Sequence, residues 1–174
     1  LNSAVEGLYN RAKPYENRDP RLKASIYYDG SKLNLETGAL LSTKTGGNCA
    51  LDPSNARYTC TGYYTRKFSH YKSGRSGNLD GYFKEFRLAE LYLNYAEAAN
   101  EASTTGTVPN DAVDAVNAVR SRVGMPGIPY GLSCDQFRLR IRNERRVELA
   151  FEEHRFFDVR RWKMLDQTDK VITG

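Results

Sequence analysis

The pattern of hydrophobic and polar positions changes near residue 82. Residues 1–82 are rich in Gly, Asn, Ser, Thr and Tyr, and turn signals such as Asp29-Gly30 interrupt them repeatedly. The run from Tyr63 to Phe68 alternates in a way that favours brief strands, but no long helical stripe fits before residue 82. We therefore predict a loop-rich segment over 1–82, packed on a helical scaffold over 83–174.

The second region carries the three- and four-residue spacings of amphipathic helices. The first helix is predicted over 84–102 and the second over 111–123, with Asn110 as its cap and Gly124 at its end. The loop between them is short and rich in helix breakers, which predicts an antiparallel hairpin. The apolar stripes are Leu88, Leu91, Tyr95 and Ala99 in the first helix, and Ala112, Val116, Val119 and Val123 in the second.

A third helix begins at Ser133, where the sequence to Gln136 has the form of a capping box. At about 100° per residue, its apolar positions share one face with several charged side chains. Charges within an apolar stripe are costly unless they are paired. We therefore expect a structural ion-pair network that joins this helix to its neighbours, formed by Glu144, Arg145, Glu148, Glu152, Arg155 and Arg161.

Composition limits the functions that this chain of 174 residues can have. Lys and Arg exceed Asp and Glu by 26 to 21, and the pI is near 9.1, which is only mildly basic. The arginine-rich stretch also carries glutamates, so a paired face is favoured over a nucleic-acid surface. The spacing needed for a ferritin-like metal site is absent, since Phe151 stands three residues after Glu148. No nucleophile elbow or phosphate-binding glycine motif is found, and we expect no enzyme, cofactor or metal.

Two kinds of residue in the loop-rich segment carry candidate chemistry. Cys49 and Cys60 flank a flexible loop and could form a disulfide or remain free thiols. The segment also holds many of the 12 tyrosines beside polar and charged residues. Aromatic rings match the apolar faces of sugars, and neighbouring polar groups match their hydroxyls. The alternative is that these rings pack the loops onto the helices. The candidate glycan-binding residues are Tyr27, Tyr58, Tyr63 and Tyr71.

Six blocks of sequence stand in the order found in one known family. The chain resembles the carboxy-terminal part of a SusD/RagB family protein. The resemblance implies a mostly α fold, in which tetratricopeptide-like helical hairpins form a superhelix with extended ordered loops and a few short strands. One departure is Glu153, where the family usually carries Gly, so the third helix could either break there or continue. The blocks span residues 17–22, 62–68, 87–98, 117–124, 144–152 and 155–162.

The resemblance also implies a function. Members of the family are surface-exposed lipoproteins of the outer membrane that capture oligosaccharides without catalysis and deliver them to a SusC-like TonB-dependent transporter. Their signal peptide and lipidated Cys are absent from this chain, so we expect attachment to the membrane only through an anchor outside it. The alternatives are a scaffold that docks the transporter without touching the ligand, the uptake of peptides or another nutrient, and a hydrolase.

Overall fold

The computed structural model describes residues 10–33, 36–50, 59–69 and 84–168. The chain forms two compact units: Asp19–Lys84, which we call the loop unit, and Leu1–Arg18 with Glu85–Gly174, which we call the helical unit. This division differs from the predicted one, because the boundary follows Lys84 and the first 18 residues group with the helices. The contribution of segment 1–82 to a ligand surface stays a prediction.

The loop unit contains little regular structure. Helix α1 (Arg21–Ser25) leads directly into strand β1 (Ile26–Tyr27), which pairs antiparallel with β2 (Tyr64–Thr65). The register places Ile26 opposite Thr65. Asp19 prepares the start of α1, since its Oδ1 accepts a hydrogen bond from the backbone N–H of Arg21 at 3.0 Å. The brief strand predicted between Tyr63 and Phe68 is confirmed.

Side-chain and backbone hydrogen bonds replace a large apolar core in the described loops. Asp29 Oδ1 accepts a bond from the Thr43 N–H at 2.9 Å, and Asn48 bonds to the backbone of Ser42 and Leu40. A Cβ on Gly47 would collide with the backbone of Ser42, so the loop closes only around a glycine. The loop unit is thus held largely by polar contacts, with Leu41 as a buried apolar anchor.

The described part of the helical unit contains five further helices. Helices α2 (Leu88–Ala102) and α3 (Asn110–Ser121) pack against each other as a hairpin, and α4 (Cys134–Glu148) also packs on α2. Ser133 caps α4 through the predicted capping box: its Oγ accepts from the Gln136 N–H at 3.3 Å, and Gln136 Oε1 accepts from the Ser133 N–H at 3.2 Å. The helices are α2 (Leu88–Ala102), α3 (Asn110–Ser121), α4 (Cys134–Glu148), α5 (His154–Arg161) and α6 (Leu165–Thr168).

The buried face of α2 differs from the predicted stripe. Leu88 is 61% exposed, and Leu91 and Tyr95 are exposed as well. The helix instead buries Leu93, Ala96, Glu97 and Asn100, a face on which two of the four residues are polar. The predicted stripe was therefore wrong for Leu88, Leu91 and Tyr95, because hydrophobicity alone does not detect buried polar residues that have partners, whereas Ala99 packs against the core. Leu88, Leu91, Tyr92 and Tyr95 form an exposed stripe along α2.

One apolar cluster forms the core of the helical unit. Asn110 is the first residue of α3, and its predicted role as the cap was wrong, since Pro109 occupies that position. The expected burial of Ala112, Val116 and Val119 is confirmed. The largest buried contributors to the cluster are Leu93, Val113, Val116, Phe137 and Ile141.

In the described ranges, no helix combines the length and apolarity that crossing a bilayer requires.

The chain turns sharply between α4 and α5. Helix α4 ends at Glu148, and both Phe151 and Glu153 have a φ of 64°. The left-handed conformation costs about 1–2 kcal/mol in a residue with a Cβ and nothing extra in glycine. The helix therefore breaks despite the glutamate at 153, and a glycine at this position would adopt the same conformation without the cost.

Candidate functional site

Arg87 joins the start of α2 to the end of α4. Its Nε and Nη2 donate to Glu152 Oε2 and Oε1, both at 2.7 Å, while Nη1 donates to Glu148 Oε1 at 2.6 Å. Nη2 also donates to the Glu148 backbone oxygen at 2.7 Å. Glu148 receives a second guanidinium from Arg122 at 2.8 Å. Burial opposes the charge of Arg87, but its bonds to Glu152 and Glu148 outweigh this effect and raise its pKa.

A second group of buried charges joins α2, α4 and α5. Arg145 Nε and Nη2 donate to the two carboxylate oxygens of Asp158, both at 3.0 Å, and its Nη1 donates to Asn94 Oδ1 at 2.6 Å. Glu97 accepts hydrogen bonds from both terminal nitrogens of Arg161, and from Trp162 Nε1 at 2.7 Å. These bonds explain why an acidic residue lies on the buried face of α2.

Glu144 forms a third buried pair, with an arginine from α3. Arg120 Nη1 donates to Glu144 Oε2 at 2.6 Å, and Arg120 Nε donates to the Pro126 carbonyl at 2.8 Å. Arg155 differs from the other residues assigned to the network. Its guanidinium lies 5.9 Å from the ring centroid of Trp162, and it forms no ion pair with a described carboxylate. The structure thus places Arg155 against an aromatic ring.

This arrangement of charges is suited to holding helices together. Fork-shaped guanidiniums donate to both oxygens of buried carboxylates. The loss of one partner would leave the other as an unpaired charge in a low-dielectric interior, which is costly. A carboxylate held in this way is a poor general base, because its lone pairs are already engaged. Among the described residues, no group of three or more His, Cys, Asp or Glu side chains could hold a metal ion.

The four tyrosines proposed from the sequence differ in their positions. Tyr27 is 6% exposed, and the Arg66 guanidinium lies 5.3 Å from its ring centroid, so its face is not open to a ligand. Tyr63 is 46% exposed. Tyr58 and Tyr71 lie outside the described residues. Of these candidates, Tyr63 is the one whose described position suits stacking against a sugar.

Two exposed tyrosines on the helical unit were missed by the sequence analysis. Tyr95, on α2, is 47% exposed, and its hydroxyl donates to Asp111 Oδ2 at 2.5 Å. Tyr130 is 57% exposed and donates to Asp114 Oδ1. The bond to each aspartate raises the pKa of its tyrosine. We call Tyr95, Asp111, Asp114 and Tyr130 the tyrosine platform.

The platform combines fixed aromatic rings with carboxylates. Asp111 and Asp114 stand three positions apart on α3 and therefore on one face of that helix. Each hydroxyl is tethered, so less rotational freedom is lost when a ligand stacks on the ring. The signal available in the sequence is the recurrence of Tyr and Asp residues in and next to the hairpin of α2 and α3. Tyr95 was instead assigned to the buried stripe.

The cysteines of the loop unit do not form the disulfide that their spacing permits. Cys49 is half-buried and Cys60 is exposed, and both are free thiols. Burial raises the pKa of Cys49, which disfavours its reactive thiolate form. The structure therefore has no crosslink at this pair, and Cys49 is not an activated thiol.

The comparison with known sequences identifies the relationship. The sequence model of the SusD family matches residues 2–173. The chain belongs to the SusD family. Among curated relatives, SusD-like protein P2 of Formosa agariphila is 39% identical over 85 residues, which cover 45% of this chain and 16% of that protein. SusD-like protein P25 of the same organism is 40% identical over 83 residues, covering 46% and 15% of the two chains.

Solved structures agree with this assignment. A SusD-like protein from Bacteroides fragilis has a TM-score of 0.76 and 35% identity, covering 91% of this chain and 30% of its own. A second SusD-like protein of that species, described as carbohydrate-binding, has a TM-score of 0.71 and 30% identity, covering 86% and 29%. The SusD-family chain therefore spans less than a third of the length of these relatives. The predicted family and the mostly α, tetratricopeptide-like fold are confirmed.

Proposed function

We propose that the protein containing this chain binds oligosaccharides at the cell surface and passes them to a SusC-like TonB-dependent transporter in the outer membrane. The observation that carries the proposal is the match to a carbohydrate-binding SusD-like protein over 86% of the chain. Attachment to the membrane would come from a lipid anchor. We expect no nucleic-acid partner, because many arginines of the helical unit pair with carboxylates.

The exposed tyrosines supply the chemistry that the proposal requires. The C–H faces of a sugar ring stack on an aromatic ring, and the equatorial hydroxyls around it seek acceptors at the ring's edge. Tyr95 and Tyr130 offer such rings, with Asp111 and Asp114 as acceptors beside them. Tyr63 offers a further ring in the loop unit. This chemistry recognises sugars by contact and leaves the glycosidic bond intact.

The buried acids favour binding over hydrolysis. A glycosidase needs two carboxyl groups that reach its substrate, one of them with a proton to donate. Glu144, Glu148 and Glu152 are instead buried and held by arginines. We therefore propose a protein that acts on its ligand without catalysis. Incubation with the bound oligosaccharide, followed by chromatography, is expected to return the ligand unchanged.

The main test is calorimetry with the full-length protein and a panel of oligosaccharides. For a ligand that binds, Tyr95→Ala and Tyr130→Ala are each expected to weaken binding about 3- to 10-fold, the scale of one lost aromatic contact. Tyr95→Phe is the matched control for the ring, because it removes only the hydroxyl. Clear binding of peptides with no binding of any oligosaccharide would overturn the proposal in favour of peptide uptake.

A scaffold that docks the transporter is the second candidate. The exposed stripe of α2 favours it, since tetratricopeptide-like stacks bind partners along extended surfaces. Leu88→Ser with Leu91→Ser would then abolish association with the transporter and leave oligosaccharide binding unchanged. Tyr58→Ala with Tyr71→Ala provides the converse test: unchanged ligand uptake by a folded variant would favour the scaffold.

A further inference from the structure

Arginines of the helical unit fall into two groups. One group forms ion pairs with carboxylates, and its members are Arg87, Arg120, Arg122, Arg138, Arg145 and Arg161. The other group forms no ion pair with a carboxylate in the described part of the chain. It includes Arg160, whose guanidinium lies against Phe156, and three residues that we call the arginine cluster: Arg142, Arg146 and Arg155. The contrast is notable because α4 carries members of both groups.

The cluster forms where α4 and α5 approach Trp162. Arg142 and Arg146 are four positions apart on α4 and therefore lie on one face of it. The Cζ of Arg142 is 5.0 Å from the centroid of the Trp162 ring, and that of Arg155 is 5.9 Å from it. Two guanidiniums of the cluster therefore lie near the Trp162 ring. The guanidinium of Arg161 is 5.2 Å from the same centroid but is paired with Glu97 and Asp158, and the Trp162 Nε1–H is committed to Glu97.

The hydrogen-bonding capacity of the cluster is only partly used. Arg142 donates from Nη1 to the sulfur of Met164 at 3.3 Å, which is a weak acceptor, and its buried Nε–H meets no acceptor in the described structure. The carboxylate of Glu101 senses the charge of Arg142 but is held by both nitrogens of the Arg138 fork. Buried polar groups normally find partners, so the unmet donor of Arg142 indicates a missing acceptor.

Electrostatics lead to the same conclusion. Burial and then the like charge of Arg146 lower the pKa of Arg155. Asp158 acts in the opposite direction, but its carboxylate is shared by Arg145 and Arg161. Like charges whose neighbouring carboxylates are already shared with other arginines are relieved by a bound anion.

We propose that Arg142, Arg146 and Arg155 form a site for an oxyanion, beside Trp162, and that the anion is the carboxylate or sulfate ester of an acidic oligosaccharide. The guanidinium fork matches the planar carboxylate and the sulfate oxygens through paired N–H donors. The identity of the carrier rests on the proposed function, whereas the oxyanion site stands on the cluster itself. The protein would then select glycans by charge as well as by their apolar faces.

The test compares two ligands that differ only in charge. The full-length protein is titrated calorimetrically with an oligosaccharide rich in uronic acid and with its carboxyl-reduced, neutral counterpart. We expect the acidic ligand to bind at least about tenfold more tightly, with an affinity that falls as salt increases. Arg155→Gln and Arg146→Gln are each expected to reduce this preference about tenfold and to leave the affinity for the neutral ligand unchanged.

Arg160→Gln is the matched control for charge. Arg160 lies on the same short helix as Arg155 but about 140° away around its axis, with its guanidinium 4.0 Å from the Phe156 ring centroid. The Arg160→Gln variant removes the same charge as Arg155→Gln and is expected to preserve the preference for the acidic ligand. Arg155→Lys retains the charge but loses the fork, and we expect binding between that of the wild type and that of Arg155→Gln.

The other outcomes overturn the inference in distinguishable ways. Equal binding of the two ligands would reject the oxyanion site and leave the proposed function intact. Binding of neither, with binding of other classes of nutrient, would reject both. Loss of folding in Arg155→Gln together with no acidic preference in the wild type would show that a carboxylate elsewhere in the full-length chain fills the cluster. Binding to vesicles of anionic phospholipid, without binding of the acidic oligosaccharide, would assign the site to a membrane surface.

Discussion

The loop unit and the helical unit are stabilised by different interactions. The helical unit buries a contiguous apolar cluster and surrounds it with buried ion pairs. The loop unit has few buried apolar residues in its described part, and polar contacts such as Asp29 to Thr43 fix its backbone. Each strand of its two-stranded sheet is two residues long, so the sheet is too small to provide a core.

The difference shows what each unit can tolerate. A packed cluster responds strongly to lost volume, since its neighbours cannot collapse into a cavity. Loops held by hydrogen bonds at the surface respond weakly to side-chain changes and can vary in sequence. Side chains of the loop unit can therefore change at a smaller cost in stability than those of the apolar cluster.

The largest expected effect is the loss of Phe137 from the apolar cluster. Phe137→Ala should reduce the free energy of unfolding by about 4 kcal/mol, because the side chain is fully buried among helices that cannot close the gap. Urea denaturation followed by far-UV circular dichroism measures the change. The counterpart in the loop unit is Leu41→Ala, for which we expect about 2 kcal/mol. A larger loss for Leu41 than for Phe137 would reverse the comparison.

Breaking a buried ion pair should come next. Arg145→Ala leaves Asp158 and Asn94 without a main partner, and we expect a loss of about 3 kcal/mol in the free energy of unfolding. Arg138→Ala breaks a more exposed pair with Glu101 and should cost less than about 1 kcal/mol. Similar losses for the two variants in the same denaturation experiment would show that burial does not set the strength of these pairs.

Glu153→Gly is expected to stabilise the protein. Glu153 holds a left-handed conformation at the turn before α5, and glycine adopts it without the Cβ clash. We expect a gain of about 1 kcal/mol, after allowance for the greater freedom of glycine in the unfolded chain. Glu153→Ala keeps a Cβ and serves as the control, with a change near zero. A melting temperature that falls in the glycine variant would contradict this account.

The smallest effect concerns the tyrosine platform and is a titration. The hydrogen bond from Tyr95 to Asp111 raises the pKa of the phenol, so Asp111→Asn should lower the pH at which Tyr95 ionises. Any stability that this bond provides is complete below the unfolded tyrosine pKa and is lost as the pH rises through the folded pKa. NMR of labelled tyrosine carbons follows the titration, with Tyr130 as an internal reference. An unchanged midpoint for Tyr95 would mean that the bond does not persist in solution.

Part of the fold was accessible from sequence because local chemistry determines it. Ser133 and Gln136 specify a capping box within four residues, and the helices around them follow from spacing. The buried face of α2 was not accessible. Its polar members Glu97 and Asn100 are buried because Arg161, Trp162 and the Cys134 carbonyl supply partners from distant positions. Hydrophobicity alone cannot detect such compensation.

The tyrosines of the candidate site show the same limit. Tyr27 and Tyr63 occur in similar surroundings in the sequence, yet one is buried beneath Arg66 and the other is exposed. Tyr130 stands between Pro129 and Gly131 in a loop, and its link to Asp114 depends on how the chain returns to α3. Residue type could suggest the ligand chemistry, but the accessible rings depended on tertiary packing.

Two hydrogen bonds, from Arg87 to Glu152 and from Trp162 to Glu97, each join residues 65 positions apart in the sequence. They are contacts of long sequence separation within the helical unit, and such contacts raise the contact order. As the chain leaves the ribosome, Glu97 emerges long before Arg161 and Trp162, so α2 has to keep this carboxylate hydrated until α5 has been made. We expect the hairpin to complete its folding only after residue 162 is available.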